Sequence, residues 1–153
     1  MTNTLPGLGV FGDLFSTSQM QATFSEEAWF ARMVEVEAGL ARAQGGVGVI
    51  PPDAANLINA ACRSLVIDTS ALKTATENVG YPVLPLVRQI SAAAGEAGGY
   101  VHWGATTQDI MDTALVLQMR QCAPLSRSQS FTSSKPHSLL PGANYEKISV
   151  TSV

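Results

Sequence analysis

Apolar residues recur at helical spacing along the chain from residue 25 onward. Ser25 and the two glutamates after it are typical of a helix start, because a hydroxyl and acidic groups suit the free amides and the positive dipole there. Four apolar residues then follow at intervals of three or four: Trp29, Met33, Val36, Leu40. This spacing predicts an amphipathic helix, which Gly45-Gly46 should end.

Four more segments carry helix signals. The stretch IPPDAANLINAACRSL opens with Pro51-Pro52, and the stretch DTSALKTATENVG is predicted to be capped from Asp68 or Thr69 and closed before Gly80. The stretch YPVLPLVRQISAAAGEAGG predicts an almost uncharged helix, and a last helix is predicted from Thr106 to about Gln121. No segment alternates with a period of two. The predicted fold class is therefore all-α.

The two ends of the chain lack this pattern. Residues 1–24 are predicted to form an extended arm, and residues 25–121 a helical domain. Residues 122–153 contain eight serines and three prolines, and Pro124 is predicted to break the preceding helix. We therefore expect a disordered tail over 122–153.

Composition narrows the class of protein. A chain of 153 residues with 46% apolar and 14% charged residues is typical of one globular domain, and its low charge suggests that other chains cover some helix faces. The net charge of -3 gives no reason to expect nucleic acid, and no apolar run approaches the roughly 20 residues of a membrane span. The N-terminus lacks the pattern of a secretion signal. Cys62 and Cys122 have no metal-ligand spacing and suggest reduced thiols of a cytoplasmic protein.

Candidate chemistry is concentrated in YVHWGATTQDIMDTA, residues 100–114. One interpretation is structural: Thr106 and Asp109 match a capping box, in which each side chain binds the other residue's amide. The other is functional: the free amides and dipole of a helix start suit a carboxylate, and Thr107, Gln108 and His102 add polar groups beside them. Spacing alone does not choose between them.

The stretch VHWGATTQDIMDTALVLQMR resembles the H-x-G-x-T-S-x-D-x-x-D-T segment of the fumarase/aspartase superfamily. The stretch from FGDLF to INAAC resembles the N-terminal arm and first helices of these enzymes, and PVLPLVRQI resembles their next apolar helix. The resemblance covers roughly residues 10–121. It is strongest to the branch containing 3-carboxy-cis,cis-muconate cycloisomerases and adenylosuccinate lyases.

The resemblance implies a site for a di- or tricarboxylate. Superfamily enzymes are helical homotetramers that add or eliminate next to a carboxylate, whose developing charge preorganised donors stabilise. By resemblance, Thr106 and Thr107 would bind a substrate carboxylate, His102 would contact substrate or orient the pocket, and Gln108 and Asp109 would shape it. Thr107 replaces the usual serine and keeps its hydroxyl. Neither a metal nor an organic cofactor is implied.

Two departures favour the cycloisomerase branch. Adenylosuccinate lyases usually carry Arg-Tyr in the arm for the nucleotide phosphate, where this chain has FGDLF. They also usually carry His-Asp where this chain has Tyr81-Pro82. The predicted activity is lactonisation of a carboxymuconate, and a carbon–nitrogen lyase of the adenylosuccinate type is the alternative.

Only the first of the three active-site regions of the superfamily is found here. The second region, a Thr-His segment, and the third, a Gly-Ser-Ser-x-Met loop with the catalytic serine, have no counterpart after residue 121, and His137 lies in neither pattern. We therefore expect a truncated, misspliced or frame-shifted product that does not catalyse alone. The non-enzyme alternative is a helical module that binds carboxylates, or associates with itself or with a full-length paralogue.

Overall fold

A computed structural model describes the backbone of residues 16–130 and the side chains of residues 16–124. Its α-helices, in chain order, are α1 (Ser18–Thr23), α2 (Glu26–Gly46), α3 (Pro52–Ser64), α4 (Thr69–Val79), α5 (Val83–Ala94) and α6 (Thr107–Ser130). A 3₁₀-helix, Gly95–Tyr100, follows α5 directly. The described range contains no strand, so the all-α prediction is confirmed.

The helix starts follow the capping residues seen in the sequence. The Ser25 hydroxyl accepts a hydrogen bond of 3.2 Å from the Ala28 amide, and the Asp68 carboxylate accepts one of 2.9 Å from the Ala71 amide. Pro52 is the first residue of α3. The Ser25 and Asp68 side chains each bind a backbone amide that has no partner inside the helix, and Pro52 has no such amide to satisfy. These starts are therefore predictable from the local sequence.

Helix α2 lies at the centre of the fold. It packs along α3 on one side and α6 on the other, while α3 also contacts α5 and the 3₁₀-helix. A Cβ atom on Gly45 would lie only 2.5 Å from the Cβ of Ala55, so α2 and α3 approach closely at this point. Six of the most deeply buried apolar side chains are Met33, Ile58, Leu72, Leu86, Ile90 and Ile110. Burying one such side chain contributes about 1.5–3 kcal/mol.

The predicted extended arm is wrong for its last part. Residues Ser18–Thr23 form α1, whose first turn is capped by Thr17, which accepts a 3.2 Å bond from the Met20 amide. The side chain of Gln118 in α6 donates a 2.9 Å bond to the Thr23 carbonyl, in a buried position. This tertiary bond, invisible to a local pattern, stabilises the short helix. Residues 1–15 of the predicted arm lie outside the described residues.

The predicted helix end near Gln121 is also wrong. Helix α6 continues through Pro124 to Ser130, so residues 122–130 of the predicted tail are helical. A proline inside a helix loses one backbone hydrogen bond and costs about 3 kcal/mol, but its fixed φ is itself helical. The helix therefore continues past it. Residues 131–153 of the predicted tail lie outside the described residues.

Within the described part of the chain, every helix is too short or too polar to cross a bilayer.

Candidate functional site

The start of α6 forms the predicted capping box. The amide and the hydroxyl of Thr106 each donate a 2.9 Å hydrogen bond to Oδ2 of Asp109, and the Asp109 amide approaches the Thr106 hydroxyl at 3.4 Å. The backbone bond from Thr106, then its hydroxyl bond, hold the pKa of Asp109 below its usual range. The structural interpretation of the motif is thus confirmed. It also means that both donors of Thr106 are already engaged within the chain.

The next two residues keep donors available. Among the described residues, no group accepts a hydrogen bond from the amides of Thr107 and Gln108 or from the Thr107 hydroxyl. The Gln108 side chain donates to Oδ1 of Asp112 at 2.5 Å, which orients it along the helix. Two free amides and one hydroxyl at the positive end of the α6 dipole make a suitable site for an anion.

His102 lies in the tight turn that leads into α6. Its φ is +61°, in the left-handed region, and Gly104 in the same turn has a φ of +70°. The Ala105 amide donates a 3.3 Å bond to the His102 carbonyl and closes the turn. Histidine is one of the few side chains enriched in this region, but the conformation is still strained for any residue with a Cβ. The turn directs the imidazole inward, towards α2.

The partner of His102 is Glu37, which the sequence analysis missed. Nδ1 of His102 lies 2.6 Å from Oε1 of Glu37, whose side chain is only 1% exposed. Burial raises the pKa of Glu37, and the hydrogen bond from His102 opposes that shift. Burial, followed by the Glu37 charge, raises the pKa of the Cys62 thiol to about 11. One sequence signal was available: Glu37 is four residues after Met33 and four before Ala41, in phase with the buried stripe of α2.

A second contact from α2 holds the same turn. Nε2 of Gln44 donates a 2.7 Å bond to the carbonyl of Trp103, the residue after His102. Glu37 and Gln44 are seven residues apart, which places both on one face of α2. Helix α2 therefore fixes two consecutive residues of the turn, one through its side chain and one through its backbone.

Beside the turn, α2 and α6 border an open groove of about 590 Å³. Its lining is mainly apolar and includes Val36, Leu40, Trp103, Ile110 and Leu117. Of the five predicted site residues only Asp109 contributes to this lining. Of the other four, Thr106 and Gln108 are exposed, whereas His102 and Thr107 are half-buried. The described residues contain no group of three acidic, histidine or cysteine side chains that could hold a metal ion.

Comparisons with known proteins give a consistent set of relatives. No family model matches the chain. Trans-aconitate decarboxylase 1 of Mycosarcoma maydis is 45% identical over 132 residues, which cover 84% of this chain and 27% of the relative. The 3-carboxy-cis,cis-muconate cycloisomerase of Acinetobacter baylyi is 42% identical over 126 residues, covering 78% of this chain and 28% of the relative.

A solved structure of a fumarate lyase from Mesorhizobium sp. BNC1 superposes with a TM-score of 0.71 at 55% identity, covering 74% of this chain and 27% of that one. The chain thus spans about a quarter of the length of the relatives it matches. Over these matches the chain is a homologue of fumarase/aspartase-superfamily enzymes, as its motif predicted.

Proposed function

We propose that the chain is part of a cytoplasmic 3-carboxy-cis,cis-muconate cycloisomerase-like enzyme and supplies one wall of its carboxylate pocket. The observation that carries this proposal is the set of unpartnered donors at the start of α6, beside the turn that holds His102. The relatives support it, because trans-aconitate, carboxymuconate and fumarate are all unsaturated di- or tricarboxylates. An adenylosuccinate-type lyase is the alternative within the same family.

In this proposal Thr107 is the main side-chain donor. Its hydroxyl and the amides of Thr107 and Gln108 bind one carboxylate of the substrate. When a proton is removed from the neighbouring carbon, charge spreads onto that carboxylate, and donors already in place stabilise it without reorganisation. Thr106 and Asp109 act on each other and hold the helix start in shape. His102 faces the substrate from the turn.

The binding step is testable on the isolated chain by NMR. Titration with fumarate or trans-aconitate should shift the amide signals of Thr107 and Gln108 more than those elsewhere in α6. Acetate at matched ionic strength is the control for a general anion effect. In the variant Thr107→Val, which keeps the shape and removes the hydroxyl, the apparent affinity should fall about ten- to a hundredfold, since a hydrogen bond to a charged group is worth about 1.5–3 kcal/mol. The proposal is refuted if acetate shifts the Thr107 and Gln108 amide signals as much as fumarate does, or if Thr107→Val binds fumarate as tightly as wild type.

One observation favours a second candidate function, self-association. Three apolar side chains of α6 are largely exposed: Leu115 at 45%, Val116 at 58% and Met119 at 53%. Exposed apolar residues clustered on one helix are typical of an interface. Light scattering coupled to size-exclusion chromatography would test this, with Leu115→Gln/Met119→Gln as the disrupting variant. A wild-type chain that stays monomeric at high concentration rules this candidate out.

A further inference from the structure

We propose that Glu37 is a positioning residue for His102: its buried carboxylate accepts the Nδ1 proton, so that Nε2 is the ring nitrogen presented to the ligand. This inference rests on the proposed function, in which His102 faces the substrate. It assigns a role to a side chain that belongs to a different helix and lies outside the motif at the start of α6.

The geometry of the pair supports this role. The distance of 2.6 Å between Nδ1 and Oε1 is that of a strong hydrogen bond, and Glu37 projects from the central helix of the core. The His102 side chain is 20% exposed, whereas that of Glu37 is 1% exposed. Among the described residues Nε2 has no hydrogen-bond partner, and it is not a buried atom. One ring nitrogen is therefore fixed inside the fold while the other is open to the outside.

The backbone of His102 supports a role for the ring beyond packing. Its left-handed conformation would be unstrained only for glycine, yet the position carries a histidine whose ring the turn brings onto Glu37. Strain that is kept in order to place a side chain is typical of functional sites. A simpler core would have an apolar residue at position 37, between Met33 and Ala41 on the buried stripe.

The environment of Glu37 leaves it few other partners. Its second oxygen, Oε2, is buried and has no hydrogen-bond partner in the described part of the chain. The nearby titratable groups are the Cys62 thiol on α3, whose pKa the Glu37 charge raises, and Asp109 on α6, which feels the charge of His102. Neither makes a hydrogen bond to the pair. His102 is therefore the one described side chain that hydrogen-bonds to this carboxylate.

Two protonation states of the ring follow from this arrangement. In the neutral ring the proton stays on Nδ1, and Nε2 accepts a hydrogen bond. When a ligand carboxylate binds, Nε2 takes a proton from solvent and donates to it, while Glu37 balances the charge of the imidazolium ring. The orientation of the ring is the same in both states, so no rotation of His102 is needed when the substrate arrives.

The protonation site is measurable directly with ¹⁵N-labelled histidine in the full chain. The sequence has only two histidines, so the variant His137→Ala assigns the spectrum. In wild type the neutral His102 ring should carry its proton on Nδ1, unlike free histidine, which favours Nε2. In Glu37→Leu the Nε2–H form should become the main one. Glu37→Gln keeps an acceptor oxygen and should retain the Nδ1–H form, and Glu35→Gln, on the exposed side of α2, is the matched control.

The outcomes separate this inference from the proposed function. An Nε2–H ring in wild type, or a ring unchanged in a Glu37→Leu variant with normal helical circular dichroism, overturns the role of Glu37. Addition of fumarate should then move the ¹⁵N chemical shift of Nε2 in wild-type His102 from that of an unprotonated nitrogen to that of a protonated one. If the Thr107 amide responds to fumarate and Nε2 does not, the positioning role is wrong. If neither responds while the proton is fixed on Nδ1, the pairing stands and the carboxylate pocket fails.

Discussion

At the scale of single residues, the start of α6 separates side chains that bond to each other from donors that are left free. The same four-residue motif contains Thr106 and Asp109, which satisfy each other, and Thr107, whose donors have no partner within the described chain. The resemblance placed both threonines in one role and the capping pattern gave Thr106 a second one, because spacing does not show which hydroxyl is already engaged. Only the hydrogen-bond partners distinguish them.

Removal of the cap should affect stability in a graded way. Thr106→Ala deletes the hydroxyl that bonds Asp109, and we expect the free energy of unfolding to fall by about 0.5–2 kcal/mol. Thr106→Ser keeps the hydroxyl and should stay close to wild type. Urea denaturation followed by circular dichroism measures both. Equal losses in the two variants would contradict a capping role.

The buried Glu37 should make stability depend on pH. Because its pKa is raised in the folded chain, the folded state binds this proton more tightly than the unfolded chain does. Its contribution to the free energy of unfolding is therefore fully present below the ordinary pKa of 4.5, and it is lost as pH rises through the folded pKa. Glu37→Gln cannot titrate. Relative to this variant, wild type should be most stable at low pH. Urea denaturation at a series of pH values measures the difference in the free energy of unfolding between the two proteins. A difference that does not fall above pH 4.5 would contradict the prediction.

At the scale of helices, the features that depend on neighbouring residues were predictable from the sequence, and those that depend on distant contacts were not. The starts of α2 and α4 were predictable because the capping residue lies three residues before the amide it serves. The start of α3 was predictable because Pro52 suits the first position of a helix. Helix α1 and the extension of α6 were missed, since one depends on a bond from Gln118 and the other passes a proline that usually ends a helix. Glu37 and His102 are 65 residues apart, a separation at which a sequence pattern carries no information about contact.

The close approach of α2 and α3 gives a test at this scale. Gly45→Ala would place its Cβ 2.5 Å from that of Ala55, and we expect a loss of about 1–3 kcal/mol through overpacking. Gly46→Ala is the matched control, because no atom lies within 4 Å of the added Cβ and alanine favours a helix. It should be neutral or slightly stabilising. Thermal unfolding of the two variants compares them, and similar melting temperatures would mean that the helices are not in tight contact.

At the scale of the whole molecule, the fold corresponds to about a quarter of each relative. Of the five predicted site residues, only Asp109 borders the groove between α2 and α6. The fold class and family could be predicted from the sequence because the helical periodicity and the motif are both local. The shape of the site could not, because it depends on which surfaces face each other.

We expect the purified chain to give no turnover of 3-carboxy-cis,cis-muconate. The chain spans about a quarter of the length of its relatives, and a single set of donors at one helix start excludes little water. The absorbance of the substrate gives the rate directly, with adenylosuccinate as the comparison substrate. Turnover above the uncatalysed rate would show that this chain needs no further region.

The two bonds from α2 to the turn before α6 have a consequence for motion. Glu37 binds the ring of His102 and Gln44 binds the carbonyl of Trp103, so consecutive residues are tied to one face of one long helix. A segment fastened in this way cannot swing independently of the helix that holds it. In the proposed pocket this turn would therefore be a fixed frame rather than a gate, and the opening that admits a substrate is expected of the parts that would meet it.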